Sequence, residues 1–351
     1  MTMNKVFFLL GVSLLFLGAC NKERPKVYNV PGLIEPYVQS FVAEANARGI
    51  DLVVDDLVVE YGENLELNGT NAAGLCHYET NDVGPRIQLD TTSQNWSIHP
   101  YSRELLIFHE LGHCVLNLNH DNTLLANGGF KTLMKASGEP IFAGFNEFKR
   151  EYYLDYLFNT ETAEPDWATA VSYDDVVDIT PTFILKEDFE GFLSAPWDEG
   201  QVSNGIYNLT TETSLQSTLT KTINTERDFE IETRFQVVEG PSFASCLTWG
   251  GNGGAFGSTP KYYQFGYNIN KDCIIFNRNT NDYVSVPSNK IDATGFNKLT
   301  IRKQGDMMYF FINEQFHDLI SFQEFYGNRL GFLVQDGAVM QVDYLYAYYL
   351  D

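Results

Sequence analysis

From Phe183 to the C-terminus the chain carries only short alternating runs punctuated by turn signals, with no helical period of useful length, and that texture confines this half to an all-β architecture. Phe229, Ile231, Thr233, Phe235 and Val237 share one face of an extended segment, while Glu230, Glu232 and Arg234 share the other. Such a strand puts one face in a core and leaves the other to polar partners. Further runs at 262–267, 298–302, 307–312, 330–334 and 342–350, with hairpin turns at Gln304-Gly305-Asp306 and Asn313-Glu314, predict a β-sandwich over residues 183–351.

The preceding half reads differently. Leu33, Ile34, Tyr37, Phe41, Val42 and Ala45 recur at helical spacing, and Gly49 supplies a stop. Extended stretches at 52–61, 75–78 and 86–89 suit a small sheet. A second helix is expected from Ser102, its N-cap, with Leu105, Leu106, Phe108, Leu111, Val115 and Leu116 on one broad face, and a third over 146–158. These assignments predict an α+β domain over 21–160 and an acidic linker over 161–182, where Glu161, Glu164, Asp166, Asp174, Asp175 and Asp178 occur without a Lys or Arg. A length of 351 residues suits two cores. The net charge of −23, from 23 basic and 46 acidic residues, excludes a protein whose affinity comes from neutralising phosphates, so no nucleic-acid partner is expected.

Lys5 precedes an apolar run over 6–17 that is too short for a membrane span of about 20 residues and reads as an export signal. The run closes on Leu17-Gly18-Ala19-Cys20, which resembles the lipobox of bacterial lipoproteins. The resemblance implies a signal peptide over 1–20, lipid on Cys20, and residence in the bacterial envelope, on the periplasmic or surface face of the outer membrane, with that lipid as the membrane attachment. An oxidising compartment makes disulfides available to Cys76, Cys114, Cys246 and Cys273. If each half folds by itself, Cys76 with Cys114 and Cys246 with Cys273 is the local pairing, with free buried thiols as the alternative.

The chemistry concentrates in His109-Glu110-Leu111-Gly112-His113, in the middle of the second helix. Positions i and i+4 stack on one helix face, so His109 and His113 can offer both imidazoles to one cation with Glu110 beside them. Zinc held by three protein ligands keeps a position for water, lowers its pKa and polarises a carbonyl, and a neighbouring carboxylate acts as general base. Residues 109–121 resemble the metzincin metallopeptidases, above all the matrixin-like members, whose motif is H-E-x-x-H-x-x-G-x-x-H. The chain departs from it by one residue. Asn117 and His120 keep the separation of the family's glycine and last histidine, which makes Asn117 the turn residue and His120 the expected third ligand; Asp121, His99 and His77 are the alternatives, and Asp121 could instead support His120. Thr132-Leu133-Met134 corresponds to the family's methionine turn, implying that Met134 packs beneath the metal. Cys114 follows His113 directly and faces away from the ligand side; a bond to Cys76 would pin the helix to the sheet.

The C-terminal half is similar to concanavalin A-like jelly rolls of the laminin-G type, which often bind glycans or proteins. That resemblance offers Trp249, Tyr262 and Tyr263 as stacking contacts for sugar rings, against a core role. The glycine-rich loop 250–254 lacks the GK[ST] ending of a phosphate loop. Together the motifs lead to the expectation of a lipid-anchored zinc endopeptidase acting on protein or peptide substrates, with His109, His113 and His120 on Zn²⁺, Glu110 as base, and a sandwich that binds glycan or protein. The rival expectation is a glycan-binding surface lipoprotein with a non-catalytic metal site. A third is sugar hydrolysis by Glu230 and Glu232, which would need paired carboxylates at a set separation.

Overall fold

A computed structural model describes residues 24–350 apart from 68, 81, 93–95, 97–99, 137–146, 177–179, 191–196, 198, 213–214, 241–243, 254–258, 278–281 and 336. The export signal, Cys20 and His99 lie outside the described residues.

The N-terminal part packs three helices with a small mixed sheet. Strands β1 (Tyr28–Asn29), β2 (Leu57–Gly62), β3 (Glu66–Leu67), β4 (Thr70–Asn71), β5 (Gly74–His77) and β6 (Arg86–Asp90) make a four-stranded sheet of order β1-β2-β6-β5 and a two-stranded ribbon of β3 and β4. Helix α1 (Glu35–Ala47) buries Val38, Phe41 and Ala45, and it ends as its sequence predicts: Gly49 adopts φ +79° and the Ile50 amide reaches back to the Ala45 carbonyl. Helix α2 (Pro100–Cys114) begins two residues before the expected Ser102 cap, because Pro100 is tolerated in a first turn that needs no N–H. Helix α3 (Glu147–Phe158) is tied to both others by Arg150, whose guanidinium meets Glu44 of α1 and Glu104 of α2, each at 2.7 Å. Phe41, Leu57, Leu89, Leu105, Phe108, Leu111 and Leu154 are fully enclosed in the core between these elements.

The described residues of the acidic segment 161–182 include ordered turns. Two short 3₁₀ turns, Asp166–Ala168 and Tyr173–Val176, interrupt it, and Trp167 and Tyr173 pack inward.

Beyond it lies the antiparallel sandwich. Its strands are β7 (Thr182–Glu187), β8 (Gln201–Ser203), β9 (Ile206–Thr210), β10 (Leu215–Thr220), β11 (Phe229–Glu239), β12 (Ser245–Gly251), β13 (Tyr263–Tyr267), β14 (Asp272–Asn277), β15 (Asp282–Pro287), β16 (Asn297–Gln304), β17 (Met307–Ile312), β18 (Gln315–Ser321), β19 (Arg329–Val334) and β20 (Val339–Tyr349). One sheet runs β10-β19-β12-β13-β14-β15; the other runs β18-β17-β16-β11-β20-β9-β8, with β7 also paired to β20. The inward residues Phe229, Ile231 and Phe235 of β11, Leu299 and Ile301 of β16, Phe310 of β17 and Phe332 of β19 have no exposed surface, as the alternation in the sequence requires. This half is a jelly-roll β-sandwich. A buried ion pair between Lys149 of α3 and Asp318 of β18 joins it to the helical part.

Two expectations for this half are corrected. Cys246 and Cys273 are free buried thiols. The register sets Cys246 level with Gly266 and Ile274, one residue from Cys273, so the two side chains leave opposite faces of the sheet. Trp249 and Tyr263 lie inside the core with their rings stacked at 5.5 Å, and Tyr262 is buried as well, so none presents a face to a sugar. The other pair, Cys76 and Cys114, does form a disulfide, which fastens α2 to β5.

Candidate metal centre and glycan cleft

Helix α2 carries the first site. His109 and His113 lie one turn apart on its buried end, and the chain then reverses at Asn117, which takes φ +56°. Asn is one of the few residues other than Gly that enters this region routinely. The reversal returns His120 to the same point, so the Nε2 atoms of the three rings stand 3.1 Å (His109–His113), 3.0 Å (His113–His120) and 3.3 Å (His109–His120) apart. Among the described residues this is the cluster suited to a metal ion.

Hydrogen bonds decide which ring nitrogens face inward. Nδ1 of His109 lies 2.7 Å from the Leu133 carbonyl, and Nδ1 of His113 lies 2.7 Å from that of Leu118. Carbonyls only accept, so each Nδ1 is the donor and each Nε2 keeps its lone pair for the centre. Burial holds both rings neutral: it lowers His109 to about 3 and His113 below its ordinary value, and lowers His120 as well. Three lone pairs crowded together repel unless a cation sits among them. Tetrahedral zinc with Zn–N near 2.0–2.1 Å separates its nitrogens by about 3.3 Å, and this triangle fits that span.

The surroundings belong to the same design. Glu110 is buried against Gly74 of β5, and a Cβ there would stand 2.6 Å from its carboxylate. Burial raises the Glu110 carboxyl to about 8, because desolvation disfavours its charged form. A cavity of about 540 Å³ reaches from β5 and the β3–β4 ribbon to the three histidines and Lys135. Met134 is buried and packs against Gly112 of α2. Among the alternatives for third ligand, His77 is turned to Gln88 at 2.9 Å, and Asp121 accepts from the amide and hydroxyl of Thr123. Asp121 therefore caps its own turn and does not hold His120.

The second site is on the outer face of the eight-stranded sheet. Register places Phe183, Tyr348, Glu230, Arg302 and Tyr309 in one row across β7, β20, β11, β16 and β17, and Lys186, Tyr346, Glu232, Thr300 and Phe311 in the next. A cleft of about 290 Å³ opens on this face between Phe183, Tyr346, Tyr348, Glu230, Glu232, Arg302 and the connector residues Tyr173 and Val176. Glu230 accepts from Arg302 Nε at 2.6 Å and from the Tyr348 hydroxyl; Glu232 accepts from Tyr173 and Tyr344 hydroxyls at 2.8 and 2.7 Å and pairs with Lys298 at 2.8 Å. With both carboxylates held by cations and hydroxyls, neither is arranged as the acid of a glycosidase, and the expectation of sugar hydrolysis by this pair is not met. Sequence reasoning passed over Tyr344, Tyr346 and Tyr348, although their alternation along β20 was the signal for an aromatic outer face.

No family model and no curated protein matches the chain. Among solved structures it is similar to the carbohydrate-binding module CBM66 from Bacillus subtilis (13% identity, TM-score 0.34, covering 49% of this chain and 97% of that one). It is also similar to the β-glucanase of Bacillus licheniformis (10%, 0.36, 47% and 97%). A third is the catalytic domain of an endo-1,3-β-glucanase from Thermotoga petrophila (11%, 0.37, 48% and 98%). Each likeness spans about half of this chain and concerns the fold of the sandwich. The similar structures are a carbohydrate-binding module and glucanases, not peptidases, which corrects the expectation of a zinc endopeptidase.

Proposed function

We propose that this chain is an envelope lipoprotein, anchored through Cys20, that binds an uncharged glycan on the outer face of its eight-stranded sheet and holds a zinc ion in its helical part. The cleft between Phe183, Tyr346 and Tyr348 carries the glycan reading, since aromatic faces stack on the C–H faces of pyranose rings. The pairing of Glu230 with Arg302 and of Glu232 with Lys298 cancels charge locally, which suits a neutral polysaccharide.

In the helical part His109, His113 and His120 would hold the ion. Bound zinc supplies a Lewis-acid centre and a tie between segments. The residues themselves do the positioning: the Leu133 and Leu118 carbonyls orient two imidazoles, and Asn117 returns the chain so that the loop bearing His120 closes on α2. In this reading the metal is structural and Glu110 is a protonated wall of its cavity.

The glycan reading is tested by calorimetric titration of the purified mature chain with soluble β-1,3-glucan and β-1,3-1,4-glucan, beside the Phe183→Ala/Tyr346→Ala double variant. Binding that weakens at least about tenfold in the variant supports it, the size expected from losing two stacking faces at about 0.5–1.5 kcal/mol each. Absence of binding, or equal binding by both proteins, overturns it. Membrane partition of the wild type and release of Cys20→Ser into the soluble fraction test the anchor.

A further inference from the structure

Tyr173 is the point at which the connector touches the sheet, and its contacts are unusually complete. Its hydroxyl donates to Glu232 at 2.8 Å, and its carbonyl accepts from Arg302 Nη2 at 2.9 Å. Its ring lies edge-on to Phe311 at 5.4 Å, with Lys298 Nζ 4.7 Å and Arg302 Cζ 5.0 Å from its centroid. The surface below it is outward-facing by register yet sealed: Thr300 and Phe311 have no exposed surface and Arg302 retains 1%. Thr300 stands between Glu232 and Phe311, two of the residues that Tyr173 contacts, and its buried hydroxyl has no hydrogen-bond partner. A satisfied core rarely leaves such a group orphaned. The strap itself is slight, because Ser172, Asp174 and Asp175 around Tyr173 are exposed.

A hydroxyl-bearing ring set edge-on against an aromatic, hydrogen-bonded to a carboxylate and flanked by cations, offers contacts that a bound sugar ring would also make. We infer that the connector turn 172–176 is an autoinhibitory strap: Tyr173 occupies an inner position of the glycan site, which continues beneath it over Glu232, Thr300, Arg302 and Phe311. This rests on the glycan reading above. A long oligosaccharide displaces Tyr173 and gives the Thr300 hydroxyl a partner. A short one fits the open cleft beside Phe183 and leaves the strap in place. The strap thus lowers apparent affinity for long chains by the fraction of molecules in which it is closed.

The test compares full mature wild type, Tyr173→Phe and Tyr173→Ala, each titrated with a disaccharide and a hexasaccharide of β-1,3-1,4-glucan, with amide exchange of residues 172–176 followed in wild type at saturating hexasaccharide. Tyr173→Ala is expected to bind the hexasaccharide about tenfold more tightly, with a smaller change for the disaccharide, Tyr173→Phe to fall between, and exchange in the turn to accelerate on hexasaccharide binding. Wild-type binding with unchanged or weaker affinity in Tyr173→Ala, or protection of the turn by ligand, overturns the strap and leaves the glycan reading standing. No binding of either sugar by any of the three proteins overturns both. Near-ultraviolet circular dichroism of each variant reports its fold, and the exchange result in wild type decides the matter should Tyr173→Ala not fold.

Discussion

Gly112 and Met134 meet across the floor of the three-histidine site: a Cβ on Gly112 would stand 2.5 Å from the Met134 sulfur. A glycine in a helix interior costs about 1 kcal/mol relative to alanine, so space beside the sulfur is what the helix gives up propensity for. Met134 directly follows Leu133, whose carbonyl orients His109. Gly112→Ala is therefore expected to change stability by only about 1 kcal/mol, as gained propensity offsets overpacking, while weakening zinc about tenfold or more by displacing that carbonyl. Competition titration of zinc measures it. The double variant Gly112→Ala/Met134→Ala should recover part of the loss, and a variant with wild-type zinc affinity would refute the coupling.

The three imidazoles should act as one ligand set. His109→Ala, His113→Ala and His120→Ala are each expected to lose most of the bound zinc, whereas His77→Ala and Glu110→Gln keep it. Elemental content of the purified proteins decides, and a full complement in His120→Ala would remove that residue from the site. A chelator should lower the melting temperature of wild type and leave that of His109→Ala unchanged.

Reducing or removing Cys76–Cys114 frees a loop of sequence separation 38. Chain entropy then predicts a loss of about 4 kcal/mol in stability, within a usual range of about 2–5. Urea denaturation of the Cys76→Ala/Cys114→Ala variant measures it. A loss below about 1 kcal/mol would show that packing of α2 on β5 suffices.

Acid should loosen the sandwich through His317. Burial, with Lys290 and Lys149 nearby, lowers this ring to about 3. Below about 6.5 the unfolded chain takes up a proton that the folded one refuses, so stability falls as pH drops from about 6.5 toward 3, at up to about 1.4 kcal/mol per unit. His317→Asn should reduce that slope, to which the buried His109 ring also contributes in metal-free protein, as measured by denaturant titration at pH 7 and pH 5. An unchanged slope would place the effect elsewhere.

The local rules carried far. Alternation along β11 assigned its buried and outer faces, Gly49 marked the end of α1, and His109 and His113 followed from one helical turn. The resemblance to the metzincin motif pointed to Asn117 as the turn residue and His120 as the third ring, and the chain brings His120 up to His109 and His113. The reading failed where partners came from distant segments. Trp249 and Tyr263 look like sugar platforms in a one-dimensional chain, and only the facing sheet turns them into core. Cys246 and Cys273 look like a pair, and only the cross-strand register sends them to opposite faces.

The amino-acid sequence by itself determined the two textures of the chain, the helix that carries two imidazoles and the alternation that builds a sandwich, since these depend on periods of 3.6 and 2 residues. Tertiary structure alone decided that the Leu133 carbonyl orients the His109 ring, and that Tyr173 lies over Glu232 and Arg302. Contacts between residues 24 and 129 positions apart are set by the packing of whole elements, and no local period records them.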